Sequence, residues 1–201
     1  AAGFVCAYSR AAATIFAAQQ ASAASVTTYL DIDLRPDQWA DPNALRAALG
    51  QLLPQVDVVI GTEEEVYALL GAAPESVFAG QRLNPEQRAE LNVVVPIFLA
   101  ADVERTLILK RGSHGASVFA AGHAAVDVSG FPVEVLNTVG AGDAFAGGLI
   151  YGRCQGWDWR ASVRMGNACG ALVVTRHGCA AAMPRRDEVE VFLAAHGGPS
   201  A

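Results

Sequence analysis

The sequence predicts an α/β fold: a mostly parallel sheet with helices on both of its faces. Short apolar strands alternate with helical patterns along most of the 201 residues, as in folds whose parallel strands are joined by crossover helices. The strand predicted over 56–60 is almost wholly apolar, which is typical of strands covered on both faces. No internal repeat or low-complexity linker interrupts the chain, so residues 1–201 are predicted to form a single α/β domain.

The first half of the chain alternates helix and strand. Alanine favours helix over residues 10–24, and the Val, Thr and Tyr content of 25–30 indicates a strand. Pro42 suits the first turn of a helix that runs to about residue 53. After the strand over 56–60, Thr62 and Glu65 have the spacing of a capping box, so we predict a helix from there to residue 70.

The second half begins with an irregular stretch over 71–85 and continues with further helices and strands. A helical pattern covers 85–101, and Pro96 is expected to break or kink it. Clusters of apolar and β-branched residues predict strands over 105–110, 116–120, 124–128 and 131–136. The hairpin-like stretch near 116–128 indicates antiparallel strands at one edge of the sheet. The remaining helical patterns cover 144–151, 158–176 and 187–195.

Composition narrows the range of partners. The net charge is −6 and there is no basic run, which disfavours nucleic acid and anionic membrane surfaces. No apolar stretch is long enough to span a bilayer, and the alanine run after Arg10, broken by Gln19, is interpreted as a packed helix rather than a signal peptide. Four cysteines without a C-x-x-C pair indicate buried thiols of a cytoplasmic protein rather than a disulfide framework or a zinc site.

The most informative stretch is residues 137–148, which read N-T-V-G-A-G-D-A-F-A-G-G. A predicted strand, a glycine turn and a helix start are compressed into a dozen residues. A helix N-terminus presents unpaired N–H groups and the positive end of the helix dipole, and small residues let an anion approach it. Asp143 lies in the first turn beside such an anion, which suits phosphoryl transfer with the carboxylate as proton acceptor. A plain helix N-cap is the alternative.

This string strongly resembles the second signature of the ribokinase-like (PfkB) sugar kinases. The resemblance implies a ribokinase-like fold and ATP-dependent transfer of phosphate to a sugar hydroxyl. It makes Asp143 the catalytic base and the amides of Gly140, Ala141 and Gly142 the anion hole, with Thr138 beside the nucleotide.

The resemblance covers the C-terminal two-thirds of the family pattern. The N-terminal strands, a Gly-Gly substrate motif and a β-lid have no counterpart in this sequence. Because phosphoryl transfer needs two substrates positioned away from water, we expect the chain alone to be poorly active. We also expect it to need the absent segment or self-association as a homo-oligomer for stability.

Further matches to the family pattern concern ATP and its Mg²⁺ ion. Glu65 stands where these kinases carry the Glu of Asn-x-x-Glu, which organises waters around Mg²⁺, whereas Thr62 replaces the usual Asn. A capping box without a metal role is the alternative. The turn that follows Lys110 matches a turn beside the nucleotide, which implicates Lys110, Gly112 and Gly115. An ordinary hairpin turn without a role in nucleotide binding is the alternative.

Three positions later in the chain match the surroundings of the adenine and of a monovalent cation. Asn167 and the loop at Gly178 stand at these places, although Asn167 is equally consistent with a helix-surface amide. Asn137 replaces the Asp with which many relatives help to hold the cation. The resemblance therefore argues against dependence on a monovalent cation here.

The string Asp31-x-Asp33-x-Arg35-Pro36 is the most informative about the substrate. It resembles a string of kinases that act on keto-deoxy sugar acids, and its Asp33 and Arg-Pro pair are closer to those acting on 5-dehydro-2-deoxy-D-gluconate in inositol breakdown. An arginine fork near a sugar site suits a substrate carboxylate. The alternative is a surface Arg35 that pairs with its neighbouring aspartates.

Other functions stay open at this point. Kinases of 2-keto-3-deoxygluconate, fructose or ribose share the same chemistry. A non-catalytic nucleotide-binding remnant of a kinase is a second class. A dinucleotide oxidoreductase is disfavoured, because no G-x-G-x-x-G follows a strand with an acidic residue at the right distance.

Overall fold

A computed structural model describes Ala17 and residues 26–198 of the chain. Internal contacts divide the chain into two compact units, Ala1–Lys110 with Phe119–Ala124, and Arg111–Val118 with Ala125–Ala201. The single domain over 1–201 stays a prediction. The helix predicted over 10–24 lies, apart from the helical Ala17, outside the described residues.

Over residues 26–198, helices and strands follow the alternating order that the sequence predicts. The strands are β1 (Tyr29–Asp31), β2 (Val58–Thr62), β3 (Thr106–Lys110), β4 (Ala116–Ala120) and β5 (Val126–Val128). The α-helices are α1 (Pro42–Leu52), α2 (Glu63–Leu70), α3 (Glu75–Phe78), α4 (Pro85–Ala100), α5 (Ala141–Cys154), α6 (Trp159–Val174) and α7 (Arg186–Ala195). None of the helices in this part of the chain is long and apolar enough to cross a membrane.

The first unit is built on three parallel strands. β1 pairs with β2 and β2 with β3, in a register that aligns Leu30, Val59 and Leu107. These three side chains belong to one buried apolar cluster with residues of α1, α2 and α4. Successive strand residues point to opposite faces, so the buried Ile60 and Ile108 lie on the other face. Both faces of these strands are therefore covered, as their apolar sequence predicts.

Polar side chains cap helices α1, α2 and α4 of this unit. The Asp41 side chain accepts a hydrogen bond from Ala44 N at the start of α1. Thr62 and Glu65 form the predicted capping box of α2, and Asn84 caps α4 in the same manner.

Helix α4 continues through Pro96, so a break at this residue is wrong, and the alternative of a kink stays a prediction. Proline cannot donate to the carbonyl four residues earlier, at Asn92. Asn92 and Pro96 are both exposed, so solvent can reach the carbonyl that proline leaves without its helical partner. The stretch predicted as irregular over 71–85 also contains the short helix α3.

The second unit pairs β4 with β5 in antiparallel register and packs α5 closely against α6. A Cβ on Gly148 of α5 would lie 2.7 Å from Cys169 Sγ, and one on Gly152 would lie 2.9 Å from Ser162 Cα. Glycines therefore let the two helices approach along this face. A second apolar cluster, which includes Phe131, Met165 and residues of α7, forms the core of this unit.

The strand predicted over 131–136 is absent from the structure, which is irregular there. Pro132 has no N–H to contribute to a strand ladder. The amides of Leu136 and Asn137 both donate to the carbonyl of Val174 at the end of α6. The apolar run is thus anchored to a helix end instead of a neighbouring strand.

Two of the cysteines differ from the prediction of buried thiols. Cys154 and Cys179 are exposed, Cys169 is buried, and Cys6 lies outside the described residues. Burial raises the pKa of the Cys169 thiol to about 11, so little of the reactive thiolate forms there at neutral pH. We expect a thiol reagent at pH 8 to label Cys154 and Cys179 well before Cys169. Peptide mass spectrometry measures this order, and early labelling of Cys169 would contradict its burial.

Candidate functional site

The N-terminus of α5 is the first part of the candidate site. Gly140 precedes the helix in the left-handed region, with φ of 85°, and no side chain caps it. By contrast, side chains cap α1, α2, α4 and α6. Asp143 lies in the first turn and is exposed. The first amides of a helix lack helical partners, so this end presents donors and a carboxylate together, as the sequence predicts.

Two neighbouring segments hold Gly140 in place. A Cβ on Gly140 would lie 3.1 Å from both Cys179 Sγ and Met183 Cε. The side-chain amide of Asn137 donates through Nδ2 to the carbonyl of Gly178 at 3.1 Å, and its Oδ1 accepts from Val139 N at 3.1 Å. An aspartate at position 137 could not donate to Gly178, so asparagine itself ties the two loops together.

A pocket of about 330 Å³ lies beside Asp143 along α5. Most of its lining is apolar, and Arg186 adds a positive charge. Its lining residues are Asp143, Ala144, Gly147, Gly148, Tyr151, Met165, Cys169, Met183, Pro184, Arg186 and Val189. Asp143 thus borders a cavity. The sequence analysis did not identify this lining.

The turn before β4 is packed tightly against the chain that follows β5. Gly115 has φ of 95° and ψ of −137°, and a Cβ there would overlap the Val128 carbonyl and Gly130 N. Asn167 on α6 donates to the carbonyls of Val128 and Ser129 at 3.2 Å and 3.1 Å. Asn167 is buried, so its alternative interpretation as a helix-surface amide is wrong.

The structure therefore joins two of the predicted nucleotide residues, Gly115 and Asn167, through one segment after β5. Gly112 lies in the same turn with φ of 56° and open space around it. The sequence analysis missed Gly130, although the string Ser-Gly-Phe-Pro around it is a turn signal. Thr138 accepts a hydrogen bond from Ala141 N at 3.2 Å and is exposed.

In the first unit, the carboxyl ends of the parallel strands bring three predicted residues together. Lys110 Nζ lies 3.0 Å from Asp31 Oδ1 and 3.3 Å from Oδ2, and 3.9 Å from Glu65 Oε2. The exposed fractions of these side chains are only 13%, 17% and 13%. Residues proposed separately for phosphate, sugar and metal therefore form one cluster of charged groups.

The loop after β1 carries the other two predicted substrate residues. Arg35 Nη1 lies 2.7 Å from Asp33 Oδ1 and donates to the Leu34 carbonyl at 3.2 Å. Arg35 keeps about half of its side chain exposed. Of the pairing that the sequence analysis kept as an alternative, the contact with Asp33 is present, whereas Asp31 pairs with Lys110. The guanidinium stays at the surface.

The sequence of this chain is similar to those of known proteins. The pfkB family of carbohydrate kinases matches residues 1–186. A 5-dehydro-2-deoxygluconokinase of Bacillus thuringiensis (strain Al Hakam) is 27% identical over 181 residues, which are 90% of this chain and 51% of that protein.

Solved structures of two kinases resemble the fold. An E. coli protein assigned as ribokinase II, in complex with ATP and Mg²⁺, is 31% identical with a TM-score of 0.70, over 90% of this chain and 52% of its own. A fructokinase of Vibrio cholerae O395 with fructose, ADP and calcium bound is 28% identical with a TM-score of 0.68, over 90% and 55%.

The chain spans about half the length of these relatives. The family match covers most of the chain and includes the start of α5, the capping box of α2 and the ends of the parallel strands. The ribokinase-like α/β fold that the sequence predicts is confirmed by the solved structures. This chain belongs to the pfkB family of carbohydrate kinases.

Proposed function

We propose that the protein is an ATP-dependent kinase that transfers the γ-phosphate of ATP to a hydroxyl of a sugar acid. The start of α5 carries this proposal, because an uncapped helix N-terminus at a left-handed glycine stands one turn from an exposed carboxylate. Such an arrangement serves phosphoryl transfer, in which the protein positions the reactants and stabilises charge.

Within this reaction, Asp143 accepts the proton of the attacking hydroxyl. The amides of Gly140, Ala141 and Gly142 at the start of α5 hold the oxygens of the transferred phosphate. To do so, the Ala141 amide exchanges its 3.2 Å hydrogen bond to the Thr138 carbonyl for one to the phosphate. Glycine suits position 140 because its φ of 85° is one that side chains rarely adopt, and because a Cβ there would lie 3.1 Å from Cys179 Sγ and Met183 Cε. The Asn137–Gly178 hydrogen bond fixes the same loop without a cation, which supports independence from a monovalent ion.

Glu65 suits a Mg²⁺ ion that accompanies ATP, because carboxylate oxygens are the ligands that Mg²⁺ prefers and the ion usually keeps several waters. Its two oxygens each accept one backbone hydrogen bond, from Leu34 N at 3.1 Å and from Thr62 N at 2.7 Å. A carboxylate oxygen has two acceptor sites, so Glu65 can still order metal-bound water. Mg-ATP supplies the phosphoryl group.

For the substrate we propose 5-dehydro-2-deoxy-D-gluconate, an intermediate of inositol breakdown, phosphorylated in the cytoplasm. The name of the Bacillus relative supports it, and so does the half-exposed guanidinium of Arg35, which can bind a substrate carboxylate. Asp31 at the end of β1 and Asp33 in the loop that follows are proposed as further substrate residues. Kinases of 2-keto-3-deoxygluconate, fructose or ribose are the alternatives.

The Arg35→Ala variant of the full-length protein tests whether the substrate is an acidic sugar. We expect KM for the sugar acid to rise roughly 10- to 100-fold, since a charged hydrogen-bonded pair contributes about 1.5–3 kcal/mol. The kcat/KM for fructose and ribose, which have no carboxylate, stays unchanged. Steady-state kinetics with each sugar measure the difference.

The matched control for this experiment is Arg82→Ala. Arg82 also pairs with a carboxylate of the first unit, Glu64, and is more exposed than Arg35. This variant is expected to leave every KM unchanged, because exposed ion pairs contribute little. An equal loss for acidic and neutral sugars in Arg35→Ala would show that Arg35 does not bind a substrate carboxylate.

A further inference from the structure

Lys110 is the one lysine in the printed sequence, which has thirteen arginines. It ends β3, and its ammonium reaches across β2 to Asp31 at the end of β1. Three carboxylate oxygens, two of Asp31 and one of Glu65, lie between 3.0 Å and 3.9 Å from Nζ. An ammonium has three donors on a compact charge. The carboxylates of Asp31 and Glu65 therefore engage the ammonium that Lys110 would need for a phosphate contact.

Glu65 forms a second link from the same cluster to the substrate loop. Its Oε1 accepts from Leu34 N at 3.1 Å, while Oε2 accepts from Thr62 N at the start of α2. Leu34 buries its side chain in the core. The carboxylate therefore fixes the backbone of the loop between Asp33 and Arg35 to a helix terminus.

The segment between these two links has a left-handed backbone residue. Asp33 has φ of 41°, in the left-handed region that most residues with a Cβ avoid and that aspartate adopts more readily than most. Contacts on both sides of the segment stabilise this conformation. Here Lys110 holds Asp31 on one side, and Glu65 holds Leu34 on the other. The same segment presents the half-exposed Arg35.

We propose that Lys110 and Glu65 are positioning residues that clamp the 31–35 loop and thereby set the affinity for the anionic sugar, and that Lys110 does not bind a nucleotide phosphate. This inference rests on the proposed function for its kinetic consequences. Without Lys110, two largely buried carboxylates would face each other with no cation between them, and their repulsion would loosen the loop. The orientation of Arg35 then becomes less defined, which weakens sugar binding and leaves nucleotide binding intact.

The Lys110→Met variant of the full-length protein tests this role. We expect KM for the sugar acid to rise roughly tenfold or more while KM for ATP and kcat change little. Asp31→Asn has the same effect, and the double variant loses less than the product of the two single losses, because both changes break one interaction. Lys110→Arg keeps the charge and restores part of the affinity. A rise in KM for ATP with an unchanged KM for the sugar would overturn the proposal and favour a phosphate contact.

A second readout needs no catalysis. Hydrogen–deuterium exchange at the Leu34 amide is expected to be faster in Lys110→Met and in Asp31→Asn than in the unmodified protein. The control Arg88→Ala, which removes a surface partner of Glu63, leaves this exchange unchanged. Unchanged exchange in folded Lys110→Met or Asp31→Asn would refute the clamp. If the unmodified protein phosphorylates no sugar acid, the proposed function fails, and the exchange rates still decide the clamp.

Discussion

Asp143→Asn is expected to lower kcat by roughly 10²- to 10⁴-fold, the usual contribution of a positioned general base. Asparagine has nearly the same shape as aspartate but cannot accept the proton of the attacking hydroxyl. Because Asp143 is exposed in the first turn of α5, the substitution removes no buried contact. The affinity for Mg-ATP, measured by calorimetry, should therefore stay close to that of the unmodified protein.

Asp187→Asn is the matched control, because Asp187 is also an exposed carboxylate in the first turn of a helix, α7. Both substitutions lose the same favourable interaction with a helix dipole, yet only Asp143 is assigned to the reaction. Asp187→Asn should keep full turnover. If Asp143→Asn also retained most turnover, the assignment of the base would be wrong and the start of α5 would serve only the fold.

Gly115→Ala is expected to destabilise the protein more than any other single glycine change in its turn. Its φ and ψ of 95° and −137° lie in a region that side chains rarely adopt, and a Cβ would overlap the backbone at Val128 and Gly130. Strain and overpacking each contribute about 1–3 kcal/mol, so the free energy of unfolding should fall by about 2–6 kcal/mol. Denaturant titration followed by circular dichroism measures it.

Gly112→Ala separates these two causes within the same turn. Gly112 also has a positive φ, 56°, but nothing lies within 4 Å of a Cβ there. This variant carries only the backbone strain of about 1–2 kcal/mol. Equal losses in the two variants would mean that the close approach of Gly115 to the segment after β5 contributes nothing to stability.

Local signals in the sequence were enough to predict much of this fold. The capping box at Thr62 and Glu65, the apolar run that becomes β2 and the glycines before α5 each specify their structure within a few residues. The errors arise where tertiary contacts decide. Residues 131–136 have the composition of a strand, but the amide of Leu136 donates to the Val174 carbonyl at the end of α6 instead of to a neighbouring strand. Pro96 is tolerated in α4 because its side of the helix meets water.

The candidate site shows the same division. The position of Asp143 in a first helical turn follows from the motif itself. The meeting of Asp31, Glu65 and Lys110 does not, because they are separated by up to 79 residues and come together only through the register of three parallel strands. In the structure Lys110 pairs with Asp31 and lies 3.9 Å from Glu65. The sequence alone predicts a separate ligand for each of these three residues, but it does not predict that they contact one another.

Transfer of phosphate from ATP to a sugar acid can be followed directly by ³¹P NMR. The full-length protein would be incubated with Mg-ATP and 5-dehydro-2-deoxy-D-gluconate. We expect a phosphate monoester of the sugar acid to appear in step with ADP. Binding of Mg-ATP without ester or ADP, with this sugar acid and with 2-keto-3-deoxygluconate, fructose and ribose alike, would contradict this expectation and identify a non-catalytic nucleotide-binding protein.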